Sequence, residues 1–260
     1  MSKQEQEKKL HIEVQDLTMA YGSFVLMKDL NFKVYEGDVF IIMGASGCGK
    51  STMMRHLIGL NEPAKGDILY RGESFVKASA SGREQMVRRC GVMYQSGALW
   101  SSMTLAENVI LPLKQFASYS DREAESIARY KLSLVGLSGF EDFYPSEISG
   151  GMAKRAGVAR ALALDPEVLF LDEPSAGLDP LSARRLDEMI LELSSNLKMT
   201  TVVVTHELES IFLIGNNSIF LDVNTRTLGA TGNPKHLRDH CENPMIRNFL
   251  RRGELNAIGD

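Results

Sequence analysis

The sequence has few cysteines and no long hydrophobic run, and each scarcity excludes a class of protein. Its three cysteines, an odd number scattered at Cys48, Cys90 and Cys241, argue against a secreted disulfide framework and favour a reducing compartment. Apolar runs such as 39–43 are far shorter than the roughly 20 residues of a membrane span, and the polar start MSKQEQEKKL lacks the apolar stretch of a signal peptide. We therefore expect a cytoplasmic chain that reaches a membrane only through a partner.

The chain also lacks an excess of charge of one sign. Its 29 basic and 33 acidic side chains give a formal net charge of −4, so no global basic field is present to hold a phosphate backbone. Nucleic acid is therefore not an expected partner. A chain of 260 residues that is 44% hydrophobic, with only 8 prolines, can bury a full core, which excludes disordered and collagen-like proteins.

The hydrophobic pattern predicts an α/β fold. Residues 11–18 and 24–35 have strand-like patterns and predict an N-terminal antiparallel β layer. The apolar run 39–43 leads through a glycine-rich turn into a helix, which is typical of a parallel sheet. Other predicted elements are strands within 67–76, 90–95, 168–171 and 201–204, a charged helix at about 182–197, and an inserted helical subdomain within about 104–162.

Residues 44–51, GASGCGKS, match the pattern GxxxxGK[ST] between a predicted strand and a predicted helix. Glycines let successive backbone N–H groups point at phosphates, and the helix N-terminus adds a favourable dipole. Lys50 would bridge the β- and γ-phosphates, and Ser51 would ligate Mg²⁺. The alternative is a glycine-rich turn with a surface lysine, which the flanking strand and helix disfavour. Cys48 is interpreted as a small filler in this loop.

Two carboxylates follow the apolar strand 168–171. Asp172 suits the Mg²⁺ shell, directly or through water, and Glu173 is the candidate to polarise an attacking water. His206 follows the strand 201–204, where it could touch a γ-phosphate. The alternative is a pair of acids in a solvated turn. The presence of the phosphate loop in the same chain disfavours it.

A second anion site is predicted at residues 147–155. Ser149 has the position of a helix N-cap, and two glycines behind it leave backbone N–H groups directed outward. Two such helix ends on one chain can meet at a single γ-phosphate only if they come from different protomers of a dimer. The sequence therefore predicts a two-fold dimer with two nucleotides bound at its interface. The alternative is an ordinary capped helix.

Together these motifs resemble the ATP-binding-cassette (ABC) ATPases over about residues 10–230. The resemblance implies a P-loop NTPase with a RecA-like core that hydrolyses MgATP. It also implies a nucleotide-binding domain at 1–240, with a helical subdomain at about 96–162, and a C-terminal tail at 241–260. Ile148 replaces the usual leucine and Met152 the commoner glutamine, and neither change removes a phosphate ligand.

The resemblance further implies a role for each matching residue. Tyr21 would stack on adenine, Gln95 would ligate Mg²⁺ and act as a switch to the helical subdomain, and Asp179, in SAGLD at 175–179, would lie on the dimer seam. Ser149, Gly150 and Gly151 would bind the partner's γ-phosphate. The implied catalytic residues are Glu173, His206 and Gln95, and the implied ATP-binding loop is Gly44, Ala45, Ser46, Gly47, Cys48, Gly49, Lys50, Ser51 and Thr52.

Three phrases, at 95–109, 144–155 and 204–212, resemble the ATPases of Mla and MCE-type bacterial lipid transporters. This resemblance implies a homodimer on the cytoplasmic face of the inner membrane. Its partners would be an integral-membrane permease and a periplasmic MCE-domain protein, and its cargo phospholipid or another lipid.

Two alternatives stay open at this point. One is a cassette ATPase of another importer or exporter, or of a soluble complex for iron–sulfur assembly, DNA repair or translation. The acidic charge, the single cassette and the lack of a long coiled-coil insertion disfavour the DNA and translation versions. The other is a non-hydrolysing nucleotide sensor, which the presence of Glu173 and His206 disfavours.

Three weaker features complete the pattern. Leu99, Trp100 and Met103 predict an apolar lip for a permease helix or, alternatively, a patch packed inside the helical subdomain. The charged segment 184–189 is interpreted as a solvated helix face. The stripe of Ile246, Phe249 and Leu250 has helical spacing and must be covered, either by its own core or by another subunit.

Overall fold

The computed structural model describes residues 8–255, with side chains described to Arg251. Residues 1–7, which begin the polar start, and 256–260, which end the tail, lie outside the described residues. Within 8–255, no helix is both long and apolar enough to cross a membrane.

Ten strands occur among the described residues, in two sheets. They are β1 (Leu10–Tyr21), β2 (Phe24–Tyr35), β3 (Val39–Gly44), β4 (Lys65–Tyr70), β5 (Glu73–Ser74), β6 (Cys90–Met93), β7 (Val168–Asp172), β8 (Thr200–Val204), β9 (Asn217–Asp222) and β10 (Thr227–Thr231). The first sheet has the order β2-β1-β4-β5 and is antiparallel. It is the predicted N-terminal β layer.

The second sheet has the order β10-β9-β3-β8-β7-β6. All its pairs are parallel except the edge pair of β9 and β10. Every residue of β3, β7 and β8 is buried, because helices and the first sheet cover both faces. In such a sheet the carboxyl ends of neighbouring strands meet at one edge, so residues after β3, β7 and β8 are brought together.

Nine α-helices accompany the sheets in the described part of the chain. They are α1 (Lys50–Leu57), α2 (Ala80–Arg88), α3 (Leu105–Phe116), α4 (Asp121–Leu134), α5 (Gly150–Ala161), α6 (Pro180–Asn196), α7 (Leu208–Ile214), α8 (Pro234–His240) and α9 (Pro244–Leu255). Helices α3, α4 and α5 lie between β6 and β7 in the chain and pack on one another. The predicted α/β class, with an antiparallel layer and an inserted group of helices, is confirmed.

The helical pattern within about 104–162 is confirmed as three helices, and one predicted strand boundary was wrong. The stretch 104–162 is not helical throughout: residues 135–149 form turns with one 3-10 turn at Pro145–Glu147. Gly136 and Gly139 adopt positive φ there, which ends α4 and prevents a continuous helix. The strand predicted at 90–95 ends at Met93, so Gln95 lies beyond the strand.

The apolar stripe on α9 packs on the core of its own chain. Ile246 and Leu250 are fully buried, and the ring of Phe249 meets the ring of Phe220 edge-on with centroids 5.2 Å apart. Gly229 makes room for Ile246, since a Cβ at that glycine would lie 2.8 Å from the isoleucine Cδ1. Of the two alternatives for this stripe, docking on its own core is therefore the one that the structure contains.

Candidate functional site

A pocket of about 460 Å³ opens at the carboxyl edge of the second sheet. It draws residues from separate parts of the chain: the loop after β3, the segment after β6, and the ends of β7 and β8. Its lining contains Tyr21, Leu26, Ser46, Gly47, Gly49, Lys50, Ser51, Thr52, Gln95, Glu173 and His206. The structure thus brings together most of the predicted phosphate loop, Gln95, Glu173 and His206 in one place.

The phosphate loop is a tight turn that only glycine permits at its start. Gly44 has a φ of +149°, and a Cβ there would lie 2.7 Å from both Cys48 Sγ and the Leu221 carbonyl oxygen. Cys48 fills the space beneath the loop, and burial raises the pKa of its thiol, so it stays protonated. The small filler role predicted for Cys48 agrees with this packing.

Lys50 opens α1 with its ammonium group inside the loop. Its Nζ donates to the carbonyl oxygens of Gly44 and Ala45 at 3.1 and 3.2 Å. The side chain is buried, so the positive charge is held within the concave face of the loop. A buried cation at the N-terminus of a helix, inside a glycine-rich loop, is suited to bind phosphate oxygens.

A hydroxyl and a carboxylate meet beside the loop. Ser51 Oγ donates to Asp172 Oδ1 at 2.9 Å, although the two residues come from α1 and β7. Burial raises the pKa of the Asp172 carboxyl, while the hydrogen bond from Ser51 opposes that rise. Hard oxygen donors of this kind suit Mg²⁺, which takes only one or two protein ligands and completes its shell with phosphates and water. The donor set therefore fits Mg²⁺ bound with a nucleotide.

Glu173 and His206 form a carboxylate–imidazole pair, which is the candidate acid–base pair of the pocket. Oε1 of Glu173 lies 2.8 Å from Nδ1 of His206, and its Oε2 is buried without a hydrogen-bond partner among the described residues. Glu173 has a φ of +47°, a backbone conformation that costs of order 1–3 kcal/mol outside glycine and is typical of functional sites. Its N–H donates to Val204 O at 2.8 Å, which ties the strained turn to β8. Glu173 thus lines the pocket, and one oxygen of its carboxylate has no hydrogen-bond partner within residues 8–255.

Tyr21 stands at the rim of the pocket. Its side chain is 54% exposed, and its hydroxyl lies 3.2 Å from Thr52 Oγ1. An exposed aromatic ring next to a phosphate site is suited to stack on a base.

The predicted second anion site lies apart from this pocket. Ser149 is the N-cap of α5, as predicted, and its Oγ accepts from Met152 N at 3.2 Å. Gly150 and Gly151 follow at the exposed helix end, beside the start of α6. Asp179 caps α6, where its Oδ1 accepts from the N–H groups of Leu181 and Ser182. These residues face outward rather than into the pocket of their own chain, as their absence from its described lining indicates.

Sequence reasoning missed a lysine that joins the two regions. Lys154, one turn into α5, is buried and donates to the backbone carbonyl of Gln95. Burial lowers the pKa of its ammonium group, and the nearby carboxylates of Glu173 and Asp172 oppose that effect. The sequence signal was weak, because Lys154 is one of three basic residues set among the small residues of α5. Lys154 connects the helix behind Ser149 to the segment that carries Gln95.

Sequence reasoning also missed Asn108, which orders the loop before α3. Asn108 is fully buried: its Oδ1 accepts from Trp100 N, and its Nδ2 donates to the carbonyls of Trp100, Met103 and Thr104. The predicted apolar patch is therefore divided. Leu99 packs on the core, whereas Trp100 is held 58% exposed.

An apolar groove of about 500 Å³ lies between α2, β6 and the inserted helices α3 and α5. Its lining includes Val87, Leu111, Pro112, Phe116, Arg160 and Leu164. Val87 and Phe116 are each about 40% exposed, so the groove presents apolar surface to its surroundings. Arg160 also donates to the Ala98 carbonyl, close to Gln95 in the chain. The side chain of Arg160 thus connects the groove to the segment that carries Gln95 into the pocket.

Comparison with known proteins gives a consistent result. A family profile described as "ABC transporter" matches residues 27–176. The "Probable ribonucleotide transport ATP-binding protein mkl" of Mycobacterium leprae is 36% identical over 95% of this chain and 71% of its own length. The "Intermembrane phospholipid transport system ATP-binding protein MlaF" of Escherichia coli K12 is 34% identical over 92% of this chain and 88% of its own length.

Among solved structures, a dimeric post-hydrolysis state of the ATP-binding cassette MJ0796 bound to ADP and Pi is similar to this chain. The TM-score is 0.76 at 27% sequence identity, over 85% of this chain and 98% of that one. The similarity therefore extends across the sheets and helices that form the pocket.

Proposed function

Because this chain belongs to the ABC transporter family and is an ATPase of that family, we propose that it hydrolyses MgATP to drive lipid transport through a membrane permease. The observation that carries the proposal is the convergence of Lys50, Ser51, Glu173 and His206 on one pocket. The relative named for intermembrane phospholipid transport supports a phospholipid as the cargo.

The polar and aromatic residues in and beside the pocket have separate tasks in this proposal. Lys50 and the loop N–H groups hold the phosphates, and Tyr21 stacks on the base. Ser51, Gln95 and Asp172, the last directly or through water, would hold Mg²⁺, which when bound neutralises charge on the β- and γ-phosphates. Glu173 accepts a proton from the attacking water through its free Oε2, and His206 fixes the carboxylate by its 2.8 Å hydrogen bond.

The chain is proposed to act as a head-to-tail homodimer. Ser149, Gly150, Gly151 and Asp179 lie outside the pocket of their own chain, so a two-fold partner is needed to bring them to a γ-phosphate. The dimeric arrangement of the similar cassette MJ0796 supports this assembly.

The contact between Lys154 and Gln95 supports a route from the nucleotide to the membrane. We take about residues 96–162 as a helical subdomain inserted in a domain that spans 1–240, with 241–260 as its tail. A change at Gln95 would shift α5 through Lys154, and Arg160 on the same helix lines the groove. A short cytoplasmic helix of the permease, docked against Val87 and Phe116, would receive that shift.

The wider assembly follows from the same resemblance. The chain would lie on the cytoplasmic face of the bacterial inner membrane, beneath the permease, with a periplasmic MCE-domain protein carrying the lipid onward. The name of the mycobacterial relative gives ribonucleotide as a second candidate cargo. Transport of ribonucleotide is therefore the competing outcome of the test.

The test is purification of the tagged chain from detergent-solubilised membranes of its own cells, followed by reconstitution in liposomes. We expect a permease and an MCE-domain protein to co-purify, and fluorescent phospholipid to move between membranes only with MgATP. Phe116→Asp should lose the permease, whereas Tyr130→Asp, an exposed aromatic of the helical subdomain outside the groove lining, should keep it. Recovery of soluble partners alone, or ATP-driven movement of ribonucleotide without lipid, would overturn the lipid assignment.

A further inference from the structure

A buried carboxylate, that of Asp187, lies behind the acid–base pair. The sequence pattern predicted that this part of its helix faces solvent. The segment 184–189 of α6 was interpreted as a solvated face, which is wrong for two of its residues: Leu186 and Asp187 are 1% and 2% exposed. Helices α6 and α7 pack together and enclose Asp187, which lines a cavity of about 740 Å³ shared with His206. Oδ1 of Asp187 is buried without a hydrogen-bond partner among the described residues.

Asp187 ends a chain of three buried side chains. Ser210 Oγ donates to Asp187 Oδ2 at 2.6 Å, and the same Oγ lies 3.4 Å from Ser175 Oγ. Ser175 and Ser210 are both 4% exposed, so water does not compete for these contacts. Ser210 has only one hydroxyl hydrogen, and it points at Asp187, so Ser175 is the donor of the second contact.

The two serines flank the two residues of the acid–base pair. Ser175 lies two positions after Glu173, in the turn that begins with the strained φ of +47°. Ser210 lies in the first turn of α7, directly after the loop that carries His206. The hydrogen-bond chain therefore joins the turn of the carboxylate to the helix that follows the imidazole, and none of its three residues is in the described lining of the pocket.

We propose that Asp187 is a positioning residue for ATP hydrolysis. Through Ser210 and Ser175 it holds Glu173 and His206 in their positions relative to each other. The proposal rests on the function proposed above, since it assumes that Glu173 and His206 serve the reaction. Asp187 itself does not line the pocket described above and acts only through the two serines.

The charge on Asp187 determines the strength of the hydrogen bond that it accepts from Ser210. The pKa of Asp187 is raised to about 6. Burial is the largest cause, the hydrogen bond from Ser210 opposes the rise, and the carboxylates of Glu207, Glu209 and Glu188 add to it. Above that pH the carboxylate is ionised and accepts a charge-assisted hydrogen bond, which is roughly twice as strong as a neutral one. Arg184 of the same helix and His206 also line the cavity, so a pH profile must be compared between variants.

If Asp187 is a positioning residue, its replacement should raise the melting temperature while it lowers kcat. If Asp187 serves only stability, its replacement would not raise the melting temperature and lower kcat together. Ionisation of a buried carboxylate with a free oxygen opposes folding, so Asp187→Asn should raise the melting temperature at pH 8. The same variant keeps the shape of the side chain but loses the charge-assisted hydrogen bond, so its kcat should fall. A residue that served only stability would not give this combination.

The experiment measures kcat, the KM for ATP and the melting temperature of the full-length ATPase and its variants between pH 5.5 and 8.5. Asp187→Asn, Ser210→Ala and Ser175→Ala should each lower kcat by roughly 3- to 30-fold at pH 8, with the KM for ATP within two-fold. The ratio of wild-type kcat to Asp187→Asn kcat should shrink toward one as the pH falls through about 6. The matched control is Ser194→Ala, which removes a buried 2.7 Å contact with Thr201 near the C-terminal end of α6 and should keep its kcat.

A kcat ratio that is independent of pH, or serine variants that hydrolyse ATP as fast as Ser194→Ala, would overturn the proposal. The serine variants decide the question even if Asp187→Asn does not fold. Failure of the proposed function is recognised separately: Glu173→Gln would then keep its turnover, whatever the variants at Asp187, Ser210 and Ser175 show.

Discussion

His206 Nδ1 lies 2.8 Å from Glu173 Oε1, although the two residues follow different strands and are 33 positions apart in the chain. The other oxygen of the glutamate, Oε2, has no hydrogen-bond partner in the part of the chain that the structure describes, and it is the proposed proton acceptor. Because β7 and β8 are parallel neighbours, their carboxyl ends bring the pair together without any contribution from the intervening helix.

Loss of this free carboxylate oxygen should stop turnover but not binding. Glu173→Gln should lower kcat by about 10²–10⁴-fold, the usual contribution of a general base, while ATP still binds. The variant should accumulate as a nucleotide-bound dimer, seen by size-exclusion chromatography beside a phosphate-release assay. Glu207→Gln, an exposed acid 3.8 Å from His206 Nε2, is the control and should retain turnover. Turnover of Glu173→Gln within a few-fold of wild type would contradict the assignment.

Composite sites predict complementation between two inactive chains. Lys50→Ala and Ser149→Arg homodimers should both be inactive, but a mixed dimer would contain one intact site and one doubly damaged site. Mixing the folded variants should therefore restore ATP hydrolysis, measured as phosphate release against each variant alone. Ser120→Arg places the same charge at the N-cap of α4 and should stay active as a homodimer. A mixture no more active than its components, with heterodimers present, would contradict shared sites.

Asp187 should give the free energy of unfolding a specific pH dependence. Its pKa is about 6 in the folded chain and near 3.8 in an unfolded one, so the folded state binds the extra proton between these values. Stability should fall as the pH rises from about 4 to 6, by about 3 kcal/mol from this group. The difference between urea unfolding curves of wild type and Asp187→Asn isolates the effect. A difference that does not change with pH would exclude a raised pKa at Asp187.

The apolar stripe on α9 should serve the stability of its own chain. Phe249→Asp combined with Leu250→Asp places charge against a core in which Leu250 is 1% exposed, and large-to-small changes at such sites already cost about 2–5 kcal/mol. The melting temperature should fall, while the folded fraction still forms dimers and binds its membrane partner. Met245→Asp, on the same helix but 39% exposed, is the control. Normal melting with lost assembly would show that the stripe docks on another subunit instead.

Local patterns were sufficient where one short segment contains the whole feature. The loop at 44–51 was recognisable because the glycines, the lysine and the hydroxyl lie within one turn between a strand and a helix. The N-cap at Ser149 was predictable for the same reason, since a cap and the N–H group that it accepts from are three residues apart.

Features that depend on packing between distant segments were not predictable. Lys154 and Asp187 both carry charges that a sequence pattern assigns to solvent, yet both are buried because neighbouring elements cover those turns of α5 and α6. The interior contact of Lys154 is the Gln95 carbonyl, 59 residues away, and that of Asp187 is Ser210, 23 residues away.

The sequence by itself thus determined the family, the phosphate loop, and the acids and histidine that follow the strands. It did so because a buried strand followed by functional residues has a recognisable local pattern. Only the tertiary structure decided which carboxylate oxygen is free, which helix face is buried, and where the C-terminal stripe docks. Each of these depends on the distance between groups far apart in the chain, and such distances are set by how the sheets and helices pack.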